Sequence, residues 1–153
     1  MFVGTLRGAD RSGRERNAGG ADDRDAEQRA AMDRRARMIV AAARARVLID
    51  SGRALSRNAS IALQEMSSRG EIPDIATKLR WRAQSAFAVN QAREAVETLW
   101  SCYGAQGIYT RDPLQRYLRD VIAMNQHFSF NFDIAGAAFG LHALGGPYAN
   151  PTM

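Results

Sequence analysis

Residues Asp112–Gly145 read DPLQRYLRDVIAMNQHFSFNFDIAGAAFGLHALG, and their reading decides the fold. Asp112 can cap a helix and Pro113 suits its first position, where a missing N–H removes no hydrogen bond. Gln115, three residues after the cap, is a capping-box partner. No proline interrupts the stretch before Gly145-Gly146-Pro147. The stretch therefore predicts one long helix, roughly 50 Å at ~1.5 Å per residue, a length suited to a bundle.

Working backward, Gly104–Arg111 form a turn, and before it lies an apolar set at helical spacing: Ile75, Leu79, Ala83, Ala86, Val89, Ala92, Val96, Leu99 and Tyr103. Its opposite face carries Lys78, Arg80, Arg93, Glu94 and Glu97. Pro73-Asp74 starts this helix and Gly104 ends it. Further upstream, about Ala26 to Ser68, Val40, Val47, Ala54 and Ile61 recur every seven residues with Ala41, Leu48, Leu55 and Ala62 beside them. That is an amphipathic helix with a bundle seam, weakened at Gly52 by up to ~1 kcal/mol and closed at Gly70.

Residues 1–29 contain almost no large apolar side chain beyond the first six and predict a disordered or weakly helical leader. Residues 30–146 are expected to form the bundle and 147–153 a tail. The fold class is all-α: an antiparallel up-and-down bundle of three long helices joined by short connections.

The 153 residues suffice for one domain. The net charge of +5, carried almost wholly by arginine, admits anionic partners, but no helix-turn-helix or RNA-motif signature accompanies it. Nucleic acid is therefore not the favoured partner. A lone cysteine, Cys102, excludes an internal disulfide and a Cys-clustered metal centre, and fits the cytoplasm. No apolar run reaches the ~18 residues of a membrane span.

Inward-facing Glu-x-x-His pairs, the ligands of di-iron bundles, are missing: Met124 precedes His127 by three and Phe139 precedes His142 by three. No protein-ligated metal is expected. On a continuous helix, Arg116, Asp120, His127 and Asn131 would share one face. Two readings follow. In one, Arg116 and Asp120 form a structural ion pair and His127 bonds a backbone carbonyl. In the other, His127 is a proton donor or acceptor held by Asn131 or Asp120.

The segment YGAQGIYTRDPLQRYLRDVIAMNQHFSFNFD, Tyr103–Asp133, resembles the C-terminal helical domain of the acyl-CoA dehydrogenase superfamily. The likeness is to its branch of flavin-dependent monooxygenases, which includes 4-hydroxyphenylacetate and phenolic steroid hydroxylases and dibenzothiophene monooxygenase. The resemblance extends from about Met32 to Gly145 and implies a homotetramer of three-part subunits, with the flavin ring resting on a β-domain. It implies that Gly104, Ala105, Gln106 and Gly107, with Arg119, lie near the cofactor, FMN or FAD. Ser101 and Ala105 depart from the glutamine and glycine that many dehydrogenases carry around this turn.

Those dehydrogenases place a glutamate base eight residues after the aspartate of the Arg-Asp pair; counting from Asp120 reaches Phe128, which accepts no proton. His127, just before it, matches the histidine that the monooxygenase branch sets beside the flavin. The resemblance thus implies His127 as the catalytic residue of a two-component monooxygenase hydroxylating an aromatic substrate with dioxygen and reduced flavin from a separate flavin reductase. The N-terminal and β-domains are not in this sequence, whether they lie on another chain or this is the end of something larger, so the isolated polypeptide is expected to bind flavin weakly or not at all and to have no turnover. An acyl-CoA dehydrogenase-like protein acting on CH–CH groups, a non-catalytic helical assembly module and a basic nucleic-acid binder are the alternatives.

Overall fold

The computed structural model describes residues 11–147. Its elements are α1 (Arg11–Ser68), α2 (Ile75–Tyr103), a 3-10 turn (Gly104–Ile108), α3 (Pro113–Gln126) and α4 (Phe132–Ala143). Among the described residues there is no strand, in agreement with the all-α reading, but the helices number four rather than three. Residues 1–10 of the expected leader and 148–153 of the expected tail lie outside the described residues.

Helix α1 starts at Arg11, well before Ala26, and continues through position 29 without a break. Its first stretch is rich in alanine and arginine and free of proline, which favours helix even where no apolar face exists. Positions up to Ile39 and positions from Val40 onward belong to two separate compact units. In the first, every residue from Asp23 to Ile39 is exposed.

In the second unit α1 runs antiparallel to α2: Arg44 pairs with Glu94, and Gly52 lies against Ala88. The inner seam of α1 is Ala41, Ala45, Leu48, Gly52, Leu55, Ala59, Ala62 and Met66, with steps alternating between four and three residues. The heptad row Val40, Val47 and Ile61 instead faces out, 69%, 64% and 43% exposed. Small residues explain the choice. A Cβ on Gly52 would stand 3.3 Å from the Ala88 carbonyl oxygen, so the two backbones approach more closely than branched side chains would allow. The glycine expected to weaken the helix is its contact point.

Asp74 starts α2, its carboxylate accepting the Thr77 N–H at 2.8 Å. The buried side of α2 is Leu79, Ala83, Ala86, Val89 and Ala95, close to the set read from its periodicity. Helices α3 and α4 follow one another along α2, both antiparallel to it. Phe132 meets Phe87 with ring centroids 5.7 Å apart, and His142 acts electrostatically on Asp74.

The single helix expected over Asp112–Gly145 is therefore interrupted. His127 ends α3 with extended backbone (ψ 131°), and its N–H returns to the Met124 carbonyl. Asn131 begins α4, its Oδ1 accepting from the N–H groups of Asp133 and Ile134 at 2.9 and 3.3 Å. An asparagine side chain that competes for backbone donors favours such a cap over a helix interior. The α3 start is as read: Asp112 Oδ1 accepts from Leu114 N–H at 2.9 Å and Pro113 opens the helix. Gln115 makes no capping-box bond among the described residues; its Oε1 is buried without a partner.

Candidate functional site

The break between α3 and α4 places His127 on a four-residue turn rather than on a helix face. Its Nδ1 accepts the Ser129 N–H at 3.2 Å. In the neutral ring the proton then sits on Nε2, which is presented as a donor. The imidazole is flanked by Phe128 and Phe130, with centroids 4.9 and 5.8 Å away. Phe128 is 60% exposed, so the base position of the dehydrogenase pattern holds a ring open to solvent. Over that ring, 6.0 Å from its centroid, stands the guanidinium carbon of Arg82 from α2.

The face expected to join Arg116, Asp120, His127 and Asn131 does not form, because the helix ends before His127. Arg116 and Asp120 remain an exposed i,i+4 pair at 3.5 Å. Asn131 is committed to capping α4, and neither it nor Asp120 holds the imidazole; the Ser129 amide does. Arg119 is exposed in the middle of α3.

The glycine turn lies at the other end of α3, about 20 Å from His127 along a 14-residue helix. Gly104 ends α2 with φ 70°, a conformation that favours glycine, and is exposed with open space where a Cβ would project. Ala105 is exposed, and Gln106 lies in the 3-10 turn. Gly107 is buried: a Cβ there would be 3.1 Å from the Trp100 ring, so this glycine serves packing rather than approach to a ligand. The Asp112 carboxylate near the Tyr103 hydroxyl holds that phenol above its usual range. Arg111 stacks over Tyr109 at 5.1 Å. Within one chain the residues singled out in the sequence thus occupy two places, His127 at one end of α3 and Gly104–Gly107 at the other.

Sequence reading missed Arg82, Ser129 and a groove beside the turn. The groove, about 490 Å³, is lined by Ile49 and Gly52 of α1, Ala88 and Val89 of α2, Met124 of α3 and Phe130 of the turn. Nothing local marks these residues, since they converge from four segments. A second cavity of about 570 Å³ is polar, lined by Asn90, Glu94, Glu97, Asn125, Asn131 and Asp133 among others. The turn offers a flavin one fitting wall: an exposed imidazole donor between aromatic rings, with a cation nearby.

Residues 11–132 match the family model of the acyl-CoA dehydrogenase C-terminal domain. The chain is similar to the oxygenase component of an FADH2-dependent resorcinol hydroxylase from a Rhizobium species, 29% identical over 61% of this chain and 22% of that one. It is also similar to the oxygenase component of p-hydroxyphenylacetate 3-hydroxylase from Acinetobacter baumannii, 31% identical over 54% of this chain and 19% of that one. Among solved structures, the 3-HSA hydroxylase of a Rhodococcus species superposes with a TM-score of 0.70 at 24% identity, covering 74% of this chain and 30% of that one, which shows a shared fold. The HsaA monooxygenase from M. tuberculosis gives 0.67, also at 24% identity, over 74% of this chain and 29% of that one. The chain thus spans only about a fifth to a third of the length of these relatives. With the family model covering most of its residues, the chain belongs to the acyl-CoA dehydrogenase C-terminal domain family.

Proposed function

We propose that this chain is the C-terminal helical wall of a flavin-dependent oxygenase that hydroxylates an aromatic substrate. The observation that carries the reading is His127, held in the α3–α4 turn with Nδ1 occupied by Ser129 and Nε2 presented between two phenylalanine rings. Reduced flavin, FMN or FAD, supplies the electrons that activate dioxygen when bound. His127 Nε2–H donates a hydrogen bond to the reacting oxygen and passes or receives a proton there. Phe128 and Phe130 flank that position with aromatic surface. Dehydrogenation is disfavoured, because Phe128 stands where a carboxylate base would be needed.

A flavin reductase as electron donor follows from the same reading and is supported by the relatives' description as oxygenase components. Gly104, Ala105, Gln106 and Arg119 are assigned to the neighbourhood of the cofactor of an adjacent subunit, supported by the exposure of Gly104, Ala105 and Arg119. Homotetrameric assembly is supported by the outward apolar row Val40, Val47 and Ile61. Among the described residues no helix is long and apolar enough to cross a membrane.

The test is a hybrid in which this chain replaces the equivalent C-terminal part of the Rhizobium resorcinol hydroxylase oxygenase. Supplied with reduced flavin, dioxygen and resorcinol, the hybrid is expected to form hydroxylated product, and His127→Ala to lower the rate by about 10²-fold or more. Equal rates with and without the imidazole would overturn the assignment.

A further inference from the structure

Two rings flank the His127 imidazole, and they are held differently. Phe130 is half-buried and lines the groove with residues of α1 and α2. Phe128 is 60% exposed, so packing alone does not select one rotamer for it. The hydrogen bonds of the turn do not select it either: the His127 carbonyl accepts the Phe130 N–H at 2.8 Å and Nδ1 accepts the Ser129 N–H at 3.2 Å, and neither bond involves the Phe128 side chain. Phe128 nevertheless lies against the imidazole, with centroids 4.9 Å apart and planes inclined at 33°.

Arg82 reaches Phe128 from outside the turn, its guanidinium carbon over the ring at 6.0 Å from the centroid. A cation is attracted to the electron-rich face of an aromatic ring, and a planar guanidinium can stack there. Arg82 is half-buried and, among the described residues, pairs with no carboxylate, so no such charge draws it off the ring. Its helix is firmly packed at this point: Ala83 and Ala86 are 5% and 0% exposed. The arginine thus joins a solvent-exposed ring to a packed helix.

We propose that Arg82 is a positioning residue, which through Phe128 keeps the imidazole where the Ser129 amide holds Nδ1 and Nε2–H stays presented. It acts through that ring and not on the reacting atoms. Its bearing on catalysis rests on the hydroxylase reading, whereas its hold on the ring does not.

The first measurements use the full chain without flavin. Contact between the imidazole and Phe128 ring protons is read by the nuclear Overhauser effect, and the Ser129 amide by hydrogen exchange. Arg82→Gln is expected to weaken the ring contact and to speed Ser129 exchange about two- to fivefold, the scale of one exposed cation–π contact. Arg82→Lys is expected to retain most of both, Phe128→Leu to match the exchange rate of Arg82→Gln, and the double variant to go no further. Exchange at Ala83 and Ala86 and the thermal melt are expected to stay as in the natural chain. An unchanged ring contact in Arg82→Gln, additive effects in the double variant, or acceleration spread equally over α2 would each overturn the proposal. In the hybrid oxygenase, Arg82→Gln is expected to lower kcat about two- to fivefold with KM for resorcinol unchanged, and to have no further effect beside His127→Ala. An equal loss in the His127→Ala background would also overturn it. A hybrid without hydroxylation, with the ring contact and exchange pattern as expected, would remove the hydroxylase reading and leave the hold on the imidazole standing.

Discussion

The backbone N–H of Ser129 donates to Nδ1 of His127 at 3.2 Å, so the turn itself selects the imidazole tautomer. Replacing Ser129 with proline removes the only donor in that bond. Imidazole nitrogen shifts are expected to report a predominant Nε2–H form in the natural chain and a mixture in Ser129→Pro, with helix content by circular dichroism retained. An unchanged tautomer would mean that something other than the turn orients the ring.

The contact of Gly52 with Ala88 sets the spacing of α1 and α2. Gly52→Val places a branched side chain where even a Cβ meets the Ala88 oxygen at 3.3 Å. We expect a loss of about 1–3 kcal/mol in urea unfolding, the usual range for overpacking. A neutral or stabilising effect would show that the helices can part there freely.

Asn131 is the device that breaks the last helix in two. Asn131→Ala removes the acceptor for the Asp133 and Ile134 amides and should destabilise the chain by about 1 kcal/mol. Amide exchange at those two residues should accelerate before that of α2 does. Uniform exchange across the chain would argue against a local cap.

Asp74 adds a pH dependence with a defined sign. The Thr77 backbone N–H, then the Thr77 hydroxyl, hold its carboxylate below the ordinary value of 3.8. A depressed pKa in the folded state contributes stability that is present above the unfolded value and lost as pH falls through the folded one. The melting temperature of the natural chain is therefore expected to fall relative to Asp74→Asn as pH drops below about 4, because the amide caps without titrating. Parallel melting curves between pH 5 and pH 3 would exclude the carboxylate as the origin.

The outward row Val40, Val47 and Ile61 makes self-association testable. Val40→Glu with Val47→Glu puts charge into any apolar seam these residues share with another copy. Sedimentation velocity is expected to show a smaller species for this double variant than for the natural chain. The same sedimentation coefficient for both would place the subunit contacts elsewhere.

Local sequence determined the helices of α2 and the start of α3. Asp74 and Asp112 with the adjoining prolines, Gly104 with its positive φ, and the three-four spacing from Leu79 to Val89 act over distances of one or two turns, and such signals are written in neighbouring residues. His127 was singled out in the sequence by the family pattern that it resembles, but its place in a turn was not. Tertiary structure decided the rest. Which of two adjacent rows on α1 faces α2 depended on the Gly52–Ala88 approach, a contact between residues far apart in the chain. The interruption at His127–Asn131 is the exception, a local signal like the two aspartate caps: the Asn131 side chain takes the amides of Asp133 and Ile134 and competes with a helix that its neighbours would otherwise continue. The groove lined by Gly52, Val89, Met124 and Phe130 exists only because α1, α2, α3 and the turn converge, and no periodicity within one segment records a convergence of four.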